Sequence, residues 1–175
     1  MRTIARVAFA TAALAVFALN PVGARANDDL RAKLVGFQEV PAVSSTGNGT
    51  FRATIADDRQ SFSWTLEYED LEGAVQQAHI HFGQKSVNGG IVVFLCTNLG
   101  NGPAGTAACP QSGTVEGTAT AASMVNTAAA QGLAAGEFAE LLRAIRRDVA
   151  YANVHTDKHP GGEIRGQIKT DRDDD

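Results

Sequence analysis

Clustered lysine and arginine are missing from this chain, whose 15 basic residues are outnumbered by 19 acidic ones for a net charge of −4. Nucleic-acid phosphates therefore have no counterpart on it. Long uncharged apolar runs are missing too. The longest, Val7 to Leu19, falls short of the roughly 20 residues that cross a bilayer, and nothing later approaches that length, so no membrane span is expected. There is no nucleophile elbow, Ser-His-Asp spacing, phosphate loop or dinucleotide fingerprint, which leaves hydrolases and nucleotide enzymes without support. Cysteines number two and histidines four. All four histidines fall in two short motifs, AHIHFG and VHTDKHPGG.

What is present begins with the order of a secretory signal. Arg2 and Arg6 precede the apolar stretch, and Ala24-Arg25-Ala26 supplies a cleavage site, so residues 1–26 read as a cleavable signal peptide and the protein as periplasmic or secreted. Removing 26 of 175 residues leaves 149, the size of one domain. That domain is placed at 27–170, followed by an acidic tail, DRDDD, at 171–175. Cys96 and Cys109 flank a stretch rich in Gly, Asn, Pro and Thr, and in an oxidising compartment they are expected to pair.

Most of the chain from Leu30 to Thr170 alternates with period two. The clearest case is 60–69, where Phe62, Trp64, Leu66 and Tyr68 share one face and Ser61, Ser63, Thr65 and Glu67 the other. Similar runs occur at 32–37, 49–56, 75–82, 91–97, 113–121, 150–156 and 163–169, separated by turn residues. About eight short strands predict an all-β, antiparallel, Greek-key-like sandwich or barrel. One segment departs from this pattern. Over 134–148 the spacing of Phe138, Leu141, Leu142 and Ile145 predicts one short amphipathic helix, placed at an end of the barrel.

On a strand, Ala78, Ile80 and Phe82 facing the core send His79 and His81 together to the opposite face. Ala152 and Val154 likewise leave Asn153 and His155 outward, and His159 follows in the turn before Pro160-Gly161-Gly162. If the two strands are neighbours, three or four imidazoles converge. Such a set suits Cu²⁺, Zn²⁺ or Fe²⁺, with copper first by the Irving–Williams order. The plain alternative is that the histidines only tie loops together. Glu163 and Arg165 alternate on the last strand as an ion pair, as support for the histidines, or as a wet surface. Glu39 either caps a loop or approaches the histidine face, and Asp157 shapes a turn or serves as a ligand.

The segments GFQEVPAV, AHIHFG with NGGIVVFL, QGL with GEFAELLRAI, and AYANVHTDKHPGGEIRGQI resemble the chordin-type (CHRD) domain from about Leu34 to Ile168. The resemblance implies an extracytoplasmic domain of antiparallel strands. It says little about activity, and nothing in the chain points to the growth-factor partners of animal chordins. The domain is also similar to copper/zinc superoxide dismutase, whose strand motif looks like His79-Ile80-His81, with His155 as counterpart of a later copper ligand. Four histidines are too few for that enzyme's two-metal site.

Three readings follow. The first is a metal-binding module using His79, His81 and His155, with His159 as a fourth ligand, whose affinity falls as pH drops through about 6.5. The second is an adhesion or assembly domain that binds an extracytoplasmic protein or polysaccharide through its loops. The third is an oxidoreductase acting on superoxide or another small oxygen species.

Overall fold

The period-two pattern is realised as nine strands. A computed structural model describes residues 29–170; the expected signal peptide and acidic tail lie outside the described residues. In order they are β1 (Asp29–Val35), β2 (Asn48–Ile55), β3 (Ser61–Glu69), β4 (Val75–Phe82), β5 (Gly90–Thr97), β6 (Gly113–Thr120), helix α1 (Phe138–Ile145), β7 (Ala150–Thr156), β8 (Ile164–Gln167) and β9 (Lys169–Thr170). All pairings are antiparallel, in the order β5-β4-β7-β8-β1-β2-β3-β6, with β9 also on β1. The two ends of this path, β5 and β6, come side by side, so the sheet nearly closes into a barrel. β4, β5 and β6 then run consecutively while β7 returns beside β4, which is a Greek key.

The inner face carries the core. Phe62, Trp64, Leu66 and Tyr68 are all buried, as their alternation requires, and they meet Phe51, Ala53, Ile55, Leu30 and Leu34 from the neighbouring strands. Each large side chain buried this way contributes about 1.5–3 kcal/mol. Helix α1 is shorter than the 134–148 pattern suggests, because Gly136, at φ 87°, breaks the backbone just before it. Its apolar stripe packs inward, and Phe138 stacks on Phe62 with ring centres 5.6 Å apart.

Two strand boundaries also moved. Residues 36 and 37, read as the end of the first strand, belong to a 3-10 turn at Gly36–Gln38, and the last strand divides at Ile168 into β8 and β9. Alternation continues through both places, so side-chain pattern alone carries no sign of either break.

Cys96 and Cys109 form a disulfide across the loop that follows β5. Side chains brace this loop from within: Asn98 donates to the carbonyls of Val75 and Cys109 and accepts from the Cys109 N–H, and Thr97 donates to Asn101. With a separation of 13 residues, opening the bridge is expected to cost about 3 kcal/mol, mainly by freeing the unfolded chain. Thermal melts with and without reductant measure that difference. Among the described residues no helix is long and apolar enough to cross a membrane.

Candidate metal centre

β7 is paired on both edges, by β4 and by β8, and all seven of its residues are buried. Its inner face, Ala150, Ala152 and Val154, belongs to the core. The other face carries Tyr151, Asn153 and His155, which stand beside His81, His79 and Gln77 of β4 in the antiparallel register. The histidines thus lie on the face opposite the core, as alternation predicts. They are not solvent-facing, however: His79 is 0% exposed, His155 6% and His81 8%.

Three loop segments account for that burial. Residues 83–90 cross over His81, whose Nδ1 lies 2.9 Å from the Gly89 carbonyl. Tyr151 Oη accepts from the Gly89 N–H, and Arg165 donates to Val87 O and Asn88 Oδ1, both at 3.1 Å. Asn88 in turn donates to Val40 O, which joins this strap to the segment carrying Glu39. The 157–162 turn closes the third side, where His155 Nδ1 lies 3.0 Å from Pro160 O. Gly89 is required in the strap, since a Cβ there would lie 1.7 Å from Phe82 O.

His79, His81 and His155 offer ligand atoms that all lie within 4.8 Å of one another. His79 Nδ1 faces His155 Nε2 at 3.2 Å. The ring of His79 meets Phe94 of β5 edge-on at 4.4 Å, and His81 stacks flat on Tyr151 at 4.8 Å, with the Arg165 guanidinium 3.8 Å above that tyrosine ring. Aromatic walls on two sides hold the imidazoles in place and exclude water. His159 does not join them. It sits past the end of β7, where its N–H donates to Thr156 Oγ1 and its carbonyl accepts from Thr156 and Gly162, and its half-buried ring is outside the group of three.

Burial sets the charge state. It holds His79 down at about 2, helped by the neighbouring His155 and His81, and His81 down at about 4, against the pull of the Gly89 carbonyl. His155 is lowered for the same reason. All three rings are therefore neutral near pH 7, the form that binds metal. A neutral imidazole carries one N–H, and the carbonyls fix where it sits on two of them. His81 and His155 each donate from Nδ1, which leaves both Nε2 atoms with a lone pair.

The carboxylates do not ligate. Glu39 is buried and its Oε1 accepts from Asn153 Nδ2 at 2.9 Å; burial pushes it up to about 7, although Arg165, Asn153 and the Val40 N–H oppose the rise. Asp157 Oδ1 accepts from the Ala74 N–H and shapes the turn. Glu163 and Arg165 form no wet surface. Both are buried and point to different partners, Arg165 to the strap and Glu163 to Ser45, Thr156 and the N–H groups of Glu72 and Gly73. Burial works to raise the Glu163 carboxyl, but these four donors outweigh it and hold it below its ordinary value. Glu163→Gln turns one acceptor into a donor facing donors, and is expected to cost about 2–4 kcal/mol of stability, read by denaturant unfolding.

Residues 30–168 match the family model of the CHRD domain. The chain belongs to the CHRD-domain family. No curated protein and no solved structure matches it. Within this CHRD domain three of the four segments that carried the sequence resemblance build the pocket: 36–43 supplies Glu39 and Val40, 78–90 the two histidines and the strap, and 150–167 the third histidine, the closing turn and Arg165. Gly162 shows why the last of these is so particular in sequence. It has φ 128°, and a Cβ there would lie 2.6 Å from both Asn153 Oδ1 and Glu39 Oε1.

Tyr151 and Phe94 were not singled out from sequence. Tyr151 had a signal, since it lies two and four residues before Asn153 and His155 in YANVH. Phe94 had none, because its place beside His79 depends on the irregular register between β4 and β5, which shifts on either side of the His79–Ile80 step.

Proposed function

We propose that this CHRD domain binds one transition-metal ion through His79, His81 and His155, with copper favoured over zinc and iron. The observation that carries the reading is the state of the donor atoms. His79 Nε2 and His81 Nε2 are buried side-chain nitrogens with no hydrogen-bond partner. Leaving such an atom unsatisfied costs about 1–3 kcal/mol, and these two belong to rings of one close-set group of three. Two ligands on one ion at about 2.0–2.1 Å each are about 4 Å apart at most, so a set within 4.8 Å needs only ring adjustments, not backbone movement.

The chain's own part is positioning. The Gly89 and Pro160 carbonyls fix the tautomers of His81 and His155, an arrangement typical of metal-ligating imidazoles. Phe94, Tyr151 and the strap keep water out. A copper ion held there would supply a Lewis-acidic, redox-active centre with open coordination positions. We place the protein outside the cytoplasm, a reading supported by the disulfide and by the signal-like N-terminal sequence.

Metal uptake by protein carrying no affinity tag tests this. One Cu²⁺ per chain is expected at pH 7, lost in His79→Ala and kept in His159→Ala. No stoichiometric uptake of Cu²⁺ or Zn²⁺ sinks the reading, and loss in His159→Ala would restore that residue as a ligand. A second reading, adhesion through the loops, is supported by Leu99 on the disulfide loop and Phe37, which are 51% and 74% exposed. It predicts that Leu99 and Phe37 substitutions weaken partner binding while metal uptake is unchanged.

A further inference from the structure

Three buried side-chain atoms of the pocket face have no hydrogen-bond partner: His79 Nε2, His81 Nε2 and Asn153 Oδ1. Because His155 donates from Nδ1 to Pro160, its Nε2 is an acceptor, so the proton shared with His79 must sit on His79 Nδ1. His79 Nε2 is then a bare lone pair. The Asn153 amide is oriented as well, since its Nδ2 donates to Glu39 Oε1 and its Oδ1 is left as an acceptor. No hydrogen bond joins the two atoms, although Asn153 and His79 stand at directly paired positions of β7 and β4.

We infer that Asn153 is a positioning residue for the metal centre, accepting a hydrogen bond from His79 Nε2–H once His79 ligates through Nδ1. The inference rests on the metal-binding reading above. Ligation by His155 Nε2 ends its hydrogen bond with His79, and ligation by His79 Nδ1 requires that ring's proton to sit on Nε2 instead. One proton is lost from Nδ1 and one is taken up at Nε2, so the ring stays neutral. The change turns His79 Nε2 from acceptor into donor, across the β4–β7 pairing from a residue whose acceptor has no other partner. His81 Nε2 becomes the third ligand, so all three unsatisfied atoms are accounted for by one event.

The alternative binding mode leaves atoms unsatisfied. Were His79 to ligate through Nε2, its Nδ1–H would stay with His155 Nε2, which would then be lost as a ligand, and Asn153 Oδ1 would still be unpaired. Glu39 and Gly162 have defined parts in this arrangement. Glu39 keeps the amide from flipping, and the missing side chain of Gly162 leaves room for the amide and carboxyl together.

The test uses zinc, which is diamagnetic, on the full-length protein labelled with nitrogen-15. Long-range imidazole spectra of the zinc-loaded protein are expected to show His79 protonated on Nε2 with a slowly exchanging proton, and protonated on Nδ1 before zinc is added. Asn153→Leu is expected to weaken zinc binding by about 10- to 100-fold and to make that proton exchange rapidly, whereas Asn153→Asp, which keeps an acceptor oxygen, restores slow exchange. A zinc-loaded wild type with His79 protonated on Nδ1, or an Asn153→Leu variant that binds zinc as tightly as wild type, overturns the inference and leaves metal binding standing. If wild type binds no zinc or copper, both fall.

Discussion

Saturating Cu²⁺ is expected to raise the melting temperature of the protein by roughly 5–10 °C, and His79→Ala to abolish the rise. A ligand that binds only the folded state stabilises it by mass action, about 2.7 kcal/mol at a hundredfold excess over Kd. For a domain of this size each kcal/mol moves the midpoint by a few degrees. The three proposed ligands come from β4 and β7, so unfolding either strand separates them. Without metal, His79→Ala is expected to change stability by less than the copper effect, because the lost ring already carries one unsatisfied nitrogen. Scanning calorimetry of wild type and variant, each with and without Cu²⁺, gives the four midpoints. Equal loss of stability in both conditions would mean that the histidines act only as packing.

The second large effect is on acid stability. His79 and His81 have folded pKa values near 2 and 4 against an unfolded value near 6.5, so below pH 6.5 the unfolded chain binds protons that the folded one refuses. Stability is therefore intact above pH 6.5 and falls as the pH drops toward 4. Each histidine costs about 2.7 kcal/mol by pH 4.5, at 1.36 kcal/mol per pH unit. Glu39 works the other way. Its folded value near 7 lies above the unfolded one, so between pH 7 and 4.5 it takes up a proton in the folded state first and offsets about 3 kcal/mol. A net loss of about 2 kcal/mol or more between pH 6.5 and 4.5 is expected in metal-free protein.

Glu39→Gln separates the two contributions. It removes the offset, so its stability should fall more steeply with acid than that of wild type, by about 3 kcal/mol over the same window. Urea unfolding at half-unit pH steps measures both curves, and identical slopes would contradict the assignment. The same burial revises the expected pH dependence of metal binding. An exposed cluster would lose metal as pH falls through about 6.5, but burial that keeps His79 and His81 neutral to about 4 and lowers His155 as well should let the site hold it below that.

Much of this was legible in the sequence. The alternation in 75–82 and 150–156 placed His79, His81 and His155 on one face, and the structure brings those three together. The fold class followed from the same periodicity, since eight short half-apolar strands have few ways to bury one face each. Burial of the histidine face was not legible. It comes from residues 36–43, 83–90 and 157–162, which are held by polar contacts such as Asn88 with Val40 and Arg165 with Val87, made between positions far apart in the chain. Arg165 and Glu163 show the same limit. Charged residues alternating on a last strand look solvated until the loops that cover them are placed, and here each satisfies a separate set of buried groups. His159, placed from sequence in the turn before Pro160, lies in that turn, tied to Thr156 and Gly162 and outside the group of three; how far the turn carries it from β7 has no signal in residue spacing.

The most direct test of the central claim is the copper X-ray absorption spectrum of tag-free protein loaded with one equivalent of Cu²⁺ at pH 7. Three nitrogen scatterers at about 2.0 Å with the outer-shell pattern of imidazole are expected, falling to two in His81→Ala. A spectrum without imidazole scattering, or one unchanged in His79→Ala, His81→Ala and His155→Ala alike, would contradict it.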